Sequence, residues 1–413
     1  MTGRVRVRDL AATLLATLVL ATGVLTGGGP ASAGSPRPAG SAGSGDALAE
    51  PDADPFYRPP AGFEAAAPGT VLRSRPVTVK GLGLPVPVAA HQFLARSSDA
   101  HDAPVVVAGT VMVPFAPYPG VRPLVSYQPA IDSLGDQCNP SYKLRAGTEY
   151  ELALMMQALV HGWAVVVTDY QGPDDAFAAG RMEGHGVLDG IRAALALPEA
   201  GLAGLGTPVG LWGYSGGGLA SSWAAELQPA YAPELNVVGV ASGGTPADLV
   251  AAARQTDGGI ASGLVLLASA GQSRAYPEML TLLNDKGLAM LDQIGDMCVG
   301  EATSSFAFRR LNEFTHSPDP LSEPVAVEVM ETNHLGRQAP AAPVFLFHSL
   351  FDELIPYASA QQLRTDWCRQ GVAVAFHTDL LSEHSSLSVS GAPLAVGYLA
   401  SRFAGLPAPD TCP

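Results

Sequence analysis

Short runs of β-branched and other apolar residues alternate along this chain with longer Ala- and Leu-rich stretches spaced like helices. Val105–Val107, Leu124–Tyr127, Ala164–Val167, Val209–Trp212, Val237–Val240, Val344–Phe347 and Val372–Phe376 read as strands. Glu149–His161, Gly186–Leu197 and Gly217–Leu227 read as helices between them. Strands without polar alternation, separated by helices, predict a mainly parallel sheet covered on both faces. From about 248 to 324 the pattern is helical with no convincing strand, which predicts an all-helical cap inserted over the carboxyl edge of the sheet; ordinary crossover helices are the alternative. The ordered domain is expected from 61 to 413.

The first residues set the compartment. Arg4, Arg6 and Arg8 precede an apolar run from Leu10 to Leu25, and Ala31-Ser32-Ala33 follows. This is the layout of a secretory signal peptide cleaved after Ala33; the run is short for a membrane span. Residues 34–60, rich in Ala, Gly, Ser, Pro and Asp, read as a flexible lead-in.

Composition narrows the class further. With 47% hydrophobic and 15% charged residues, the 413-residue chain can fill a large core. A net charge of −15 disfavours nucleic acid and anionic lipid. Four cysteines, Cys138, Cys298, Cys368 and Cys412, are an even set in an exported chain and read as disulfides, with three pairings open. None has zinc-ligand spacing, and Glu183 with His185 reads as a loop and helix start, so no metal is expected. Neither a phosphate loop nor a dinucleotide fingerprint is present, so no cofactor is expected.

Chemistry concentrates where Val209–Trp212 runs into Gly213-Tyr214-Ser215-Gly216-Gly217 and a helical stretch follows. That is G-x-S-x-G in a strand–turn–helix setting, the nucleophile elbow of an α/β-hydrolase. The glycines answer a turn too tight for neighbouring Cβ atoms. A serine hydroxyl needs a base, and the base an orienting acid, in the chain order Ser, Asp or Glu, His. Of the histidines after Ser215, His348 and His377 sit in strand runs and read as structural; His384, in a polar loop after the last strand, is the candidate base. Asp352, just past the strand ending at Phe347, is the candidate acid, with Glu353, Asp379 and Glu383 read as solvated loop charges. Gly216 can offer one oxyanion N–H. The second donor belongs to the loop Gln128–Ser133, but no H-G-G-G run marks which residue supplies it.

Several separated motifs, in order, resemble the secretory lipases of lipase A type found in fungi and actinobacteria: Val125-Ser126-Tyr127 before Asp132-Ser133 and Cys138, Asp169-Tyr170-Gln171-Gly172, Leu188–Arg192, the Ser215 elbow, Asp352–Tyr357 and Glu383-His384. The resemblance runs from about Phe56 to Cys412. It implies an α/β-hydrolase fold with a helical lid, a triad of Ser215, Asp352 and His384, oxyanion donors on Asp132 and Gly216, and disulfides Cys138–Cys298 and Cys368–Cys412. The implied activity is hydrolysis of a small-molecule or lipid ester, with transient contact at a lipid interface and no obligate protein partner. A peptidase or acyltransferase on the same fold would use the same triad. The apolar run Gly263–Leu267 is either part of an acyl tunnel or a core helix.

Overall fold

The computed structural model describes residues 48–413. The expected signal peptide, 1–33, and the lead-in as far as residue 47 lie outside the described residues.

Among the described residues, nine strands form one mixed sheet. In chain order the strands are β1 (Val71–Pro76), the two-residue arms β2 (Lys80–Gly81) and β3 (Leu84–Pro85) of a separate hairpin, β4 (Val88–Ser98), β5 (Pro104–Pro114), β6 (Leu124–Gln128), β7 (Ala164–Thr168), β8 (Val209–Tyr214), β9 (Val237–Gly243), β10 (Val344–Ser349) and β11 (Val374–Asp379). The spatial order is β1-β4-β5-β7-β6-β8-β9-β10-β11. The pairs from β1 to β7 are antiparallel, and those from β7 to β11 are parallel. Every residue of β6, β7, β8 and β10 is buried, which is why these strands appear in sequence as unbroken apolar runs.

The helices that cover the sheet are α1 (Pro140–Ala146), α2 (Leu152–Val160), α3 (Gly180–Ala196) and α4 (Gly216–Tyr231), followed after the cap by α10 (Tyr357–Arg369), α11 (His384–Ser390) and α12 (Ala392–Phe403). The helices expected from Gly186 and Gly217 start earlier, at Gly180 and Gly216, and the one expected over Glu149–His161 is trimmed to Leu152–Val160.

The sheet is mainly parallel, as expected, with an antiparallel flank of β1, β4 and β5. Arg73, Arg75, His91, Gln92, Arg96 and Ser97 interrupt the apolar pattern of β1 and β4, yet the interior accommodates the buried ones by pairing them. Gln92 accepts from Arg75 Nε at 2.8 Å and donates to Tyr57 Oη at 2.8 Å; Ser97 Oγ donates to Asp189 Oδ2 at 2.8 Å.

The domain also begins before residue 61. Within the supposed lead-in, Asp54 is buried and accepts Arg75 Nη2 at 2.7 Å and Arg145 Nη1 at 3.2 Å. Burial raises its carboxyl pKa, but the two guanidinium groups and the Phe56 N–H more than offset this and hold it below its usual value.

Between β9 and β10 the chain makes α5 (Leu249–Thr256), α6 (Ser262–Ala275), α7 (Asp285–Ile294), α8 (Val299–Ser305) and α9 (Pro324–Thr332). Its one extended pairing is a single bridge, Leu283 to Thr315. The helical interval runs to Thr332, past the expected limit of 324. Two disulfides are present, Cys138–Cys298 and Cys368–Cys412. The first joins the loop after β6 to the start of α8, 160 residues away in sequence. Beside it Leu134 N–H donates to Met297 O at 3.1 Å and Val299 N–H to Ser133 Oγ at 3.0 Å.

Because a bridge closing so long a loop restricts the unfolded chain strongly, replacing both Cys138 and Cys298 with serine is expected to cost about 2–4 kcal/mol. Denaturant unfolding measures this, and an unchanged midpoint would show that the bridge contributes nothing to stability.

Candidate active site

Ser215 stands between the end of β8 and the first residue of α4 with φ +55° and ψ −122°, a conformation that costs a non-glycine residue about 1–3 kcal/mol. The surroundings hold it there. Its N–H donates to Gly243 O at 2.9 Å. A Cβ on Gly217 would collide with Gln128 O, one on Gly213 with the Gly217 carbonyl, and one on Gly216 with the Asp132 carboxyl. These three glycines are therefore required by backbone packed against backbone and against the early loop.

His384 opens α11, and four separate groups hold it. Nε2 lies 2.8 Å from Ser215 Oγ, and Nδ1 lies 2.7 Å from Asp352 Oδ2. Its backbone N–H donates to Glu353 Oε2 at 3.0 Å, and its carbonyl accepts from Tyr214 Oη at 2.6 Å. Nδ1 faces a carboxylate and so carries the proton, leaving Nε2 to accept from the serine hydroxyl.

Asp352 is fixed as firmly. Oδ1 accepts from Leu354 N at 3.0 Å and Ile355 N at 2.7 Å, while Oδ2 accepts from His384 Nδ1 and has His348 Nε2 3.2 Å away, that N–H also bonding the Ile355 carbonyl at 3.1 Å. Burial alone would raise its pKa, but the hydrogen bonds from His348 and His384, with the positive charge His384 can carry, hold the carboxyl well below the usual carboxylate range. The other acids, expected to be solvated charges, have defined tasks. Glu353 grips the His384 backbone, Asp379 accepts from Leu381 N at 2.9 Å and Ser382 N at 2.6 Å, and Glu383 caps α11 through Ser385 N and Ser386 N.

The loop after β6 brings Asp132 against Gly216, with Asp132 at φ +45°. Two buried groups clamp it. Glu151 accepts from Ala130 N at 2.9 Å and from Tyr127 Oη at 2.5 Å, and Tyr170 Oη donates to Pro129 O at 2.6 Å. Sequence reasoning misses both Glu151 and the His348 contact with Asp352. Glu151 sits at the mouth of a helix far from any motif, and His348 looks in sequence like a strand residue of structural purpose only.

Beside Ser215, Gly216, Asp132 and His384 lies a cavity with largely apolar walls. Leu264, Val265 and Ala268 of α6 line it, as does Met330 of α9. Within the Gly263–Leu267 run, Leu266 and Leu267 are buried in the core, while Leu264 and Val265 also line the cavity.

A family model described as Secretory lipase matches residues 140–411. The chain belongs to the secretory lipase family. Among relatives, it is 41% identical over 375 residues to a probable inactive lipase of Mycobacterium tuberculosis (strain CDC 1551 / Oshkosh), covering 87% of this chain and 84% of that one. It is 36% identical over 379 residues to Lipase 4 of Candida albicans (strain SC5314 / ATCC MYA-2876), covering 86% and 82%. Among solved structures, Candida antarctica lipase A superposes with a TM-score of 0.82 at 29% identity, covering 88% of this chain and 89% of that one. Like that enzyme, this secretory lipase family member has the α/β-hydrolase fold. The rice cell wall degrading esterase LipA of Xanthomonas oryzae, at 18% identity and a TM-score of 0.67, shares the fold; the match covers 83% of this chain and 100% of that one.

Burial raises several carboxyls of this family member. Asp132 is pushed up to about 7, tempered by the positive charge His384 can carry; Glu151, Asp169, Asp175 and Glu226 are also pushed up to about 7, chiefly by burial. Each binds its proton more tightly folded than unfolded, so each stabilises most below the ordinary carboxylate range and loses that contribution as pH rises through about 7. The depressed carboxyls, Asp352 and Asp54, act in the opposite sense only below their ordinary values. Unfolding free energy is therefore expected to fall between about pH 5 and pH 8 in denaturant titrations. A rise across that interval would mean that these five groups are ionised in the fold.

Proposed function

We propose that this chain is a secreted carboxylic ester hydrolase, a triacylglycerol lipase or carboxylesterase, in which Ser215, His384 and Asp352 form a catalytic triad. What supports this is the unbroken hydrogen-bonded line from Ser215 Oγ through both nitrogens of His384 to Asp352 Oδ2, at 2.8 and 2.7 Å, beside an apolar cavity.

In this mechanism Ser215 Oγ attacks the ester carbonyl as its proton passes to His384 Nε2. Asp352 keeps the imidazole in the correct tautomer and stabilises it when it becomes cationic. The oxyanion is received by the backbone N–H groups of Gly216, in the first turn of α4, and of Asp132. His384 then protonates the departing alcohol, and water, activated by the same imidazole, releases the acid from the acyl-enzyme. A neutral Asp132 carboxyl, favoured below about pH 7, avoids placing a second negative charge beside that oxyanion. The apolar walls suit an acyl chain better than the charged terminus of a peptide.

Four apolar side chains beside the triad suit contact with an ester-rich, uncharged lipid surface. Leu350 and Phe351 immediately precede Asp352, Leu380 and Leu381 shortly precede His384, and all four are exposed, Leu381 to 95%. The two loops are joined by Leu350 N–H donating to Asp379 O at 2.9 Å.

Ser215→Ala and Asp352→Asn are each expected to lower kcat on p-nitrophenyl esters by about 10⁴-fold or more. Hydrolysis by Ser215→Ala at the wild-type rate would remove the serine from the mechanism. Leu381→Asp is expected to slow turnover of a triglyceride emulsion several-fold while leaving a soluble short-chain ester unaffected; equal effects on both would show that the loop has no role at an interface.

A further inference from the structure

His348 lies near the end of β10 with its side chain buried, four residues before Asp352. Nε2 lies 3.2 Å from Asp352 Oδ2 and 3.1 Å from the Ile355 carbonyl oxygen. Both neighbours are acceptors, so Nε2 carries the ring proton. Nδ1, buried without a hydrogen-bond partner, is the bare nitrogen. The oxygen that His348 approaches is the one that accepts from His384 Nδ1. With the Leu354 and Ile355 amides on Oδ1 and His384 Nδ1 on Oδ2, the His348 N–H, which bonds the Ile355 carbonyl, is a fourth, shared contact of the carboxylate.

Two imidazoles therefore share one carboxylate oxygen. One reaches Ser215, and the other does not. We propose that His348 is a positioning residue that acts through Asp352, fixing the plane of the carboxylate and drawing off part of the negative charge that Oδ2 presents to His384. Its consequence is an acid limb of the activity profile that lies at lower pH than it would without His348. The proposal rests on the reading of Ser215, His384 and Asp352 as the triad.

The geometry gives the direction. Without the His348 N–H, Oδ2 presents more of its charge to His384, so the acid limb of the activity profile moves to higher pH. The carboxylate also loses one of its four anchors and can rotate, which lowers the fraction of molecules with the imidazole aimed at Ser215. Other titratable groups around the pair are Glu353 in the loop after β10, Glu383 and His384 at α11, Tyr214 at the end of β8, Tyr357 at the start of α10, Asp379 at the end of β11 and Asp132 in the early loop. None is altered by a substitution at position 348, so a displaced profile reports the loss of that donor.

The test is kcat/KM against pH on a soluble p-nitrophenyl ester for wild type, Ser215→Ala, His348→Leu and His348→Gln, with the folded state of each checked by thermal unfolding. In His348→Leu the acid limb is expected to move up by about half a pH unit or more, with kcat about tenfold lower and KM little changed. A glutamine amide at this position can donate to Oδ2, so His348→Gln is expected to recover most of both. An acid limb that stays in place in folded His348→Leu, or a Gln variant no better than Leu, would make His348 a packing residue and overturn the proposal. Should the Leu variant not fold, ¹⁵N NMR of the wild-type histidines decides: a bare Nδ1 and protonated Nε2 on His348 are required, and the opposite tautomer excludes the contact. A wild type no faster than Ser215→Ala would instead sink the triad reading itself, and the role of His348 with it.

Discussion

Everything in the site is arranged around a turn with no spare volume. The backbone at Ser215 is held at positive φ because β8 must pass directly into α4, and the space beside it is already filled by Gln128 O, the Gly217 carbonyl and the Asp132 carboxyl. A strain of about 1–3 kcal/mol persists only where surrounding contacts over-determine the conformation. Here the Gly243 carbonyl, the parallel pairing of β8 with β6 and β9, and the early loop all do so. The same crowding brings the Asp132 loop next to Gly216, so the elbow and the early loop cannot be placed independently.

Around that turn the fold brings together residues that are remote in sequence because their strands are neighbours. Ser215 follows β8, Asp352 follows β10, and His384 follows β11; β9 alone separates the first from the other two in the sheet. Each parallel strand ends at the same edge, so short loops suffice to reach a common point. The loops are then fixed by their own carboxylates, with Asp379 and Glu383 holding backbone amides and Glu353 holding the amide of His384 itself. Precision at the imidazole thus comes from four hydrogen bonds to one residue, two of them to its main chain.

The parallel half of the sheet is legible in sequence because strands covered on both faces must be apolar throughout, and β6 to β10 largely are. The elbow is legible because few backbones need glycine on both sides of a serine. The antiparallel flank is not, since β4 carries Gln92 and Ser97 inward and satisfies them through Arg75, Tyr57 and Asp189, partners that no local pattern reveals. For the same reason the residues just before 61 look like a linker: Asp54 gains its place only through Arg75 and Arg145, which are distant in the chain. His348 and Glu151 escape a reading of the sequence because their importance lies in what they touch, and only the folded arrangement supplies that.

The seam between Cys298 and the loop after β6 has a consequence for how the site is held. Met297, Cys298 and Val299 are tied to Leu134, Cys138 and Ser133, the last of these one residue beyond Asp132. The start of α8 is therefore held against the chain one residue beyond Asp132, the residue proposed above as an oxyanion donor. In the mechanism proposed above, the covalent bridge thus ties the helical insertion to the loop that would stabilise the oxyanion, and leaves the Ser215 elbow to be held by the sheet.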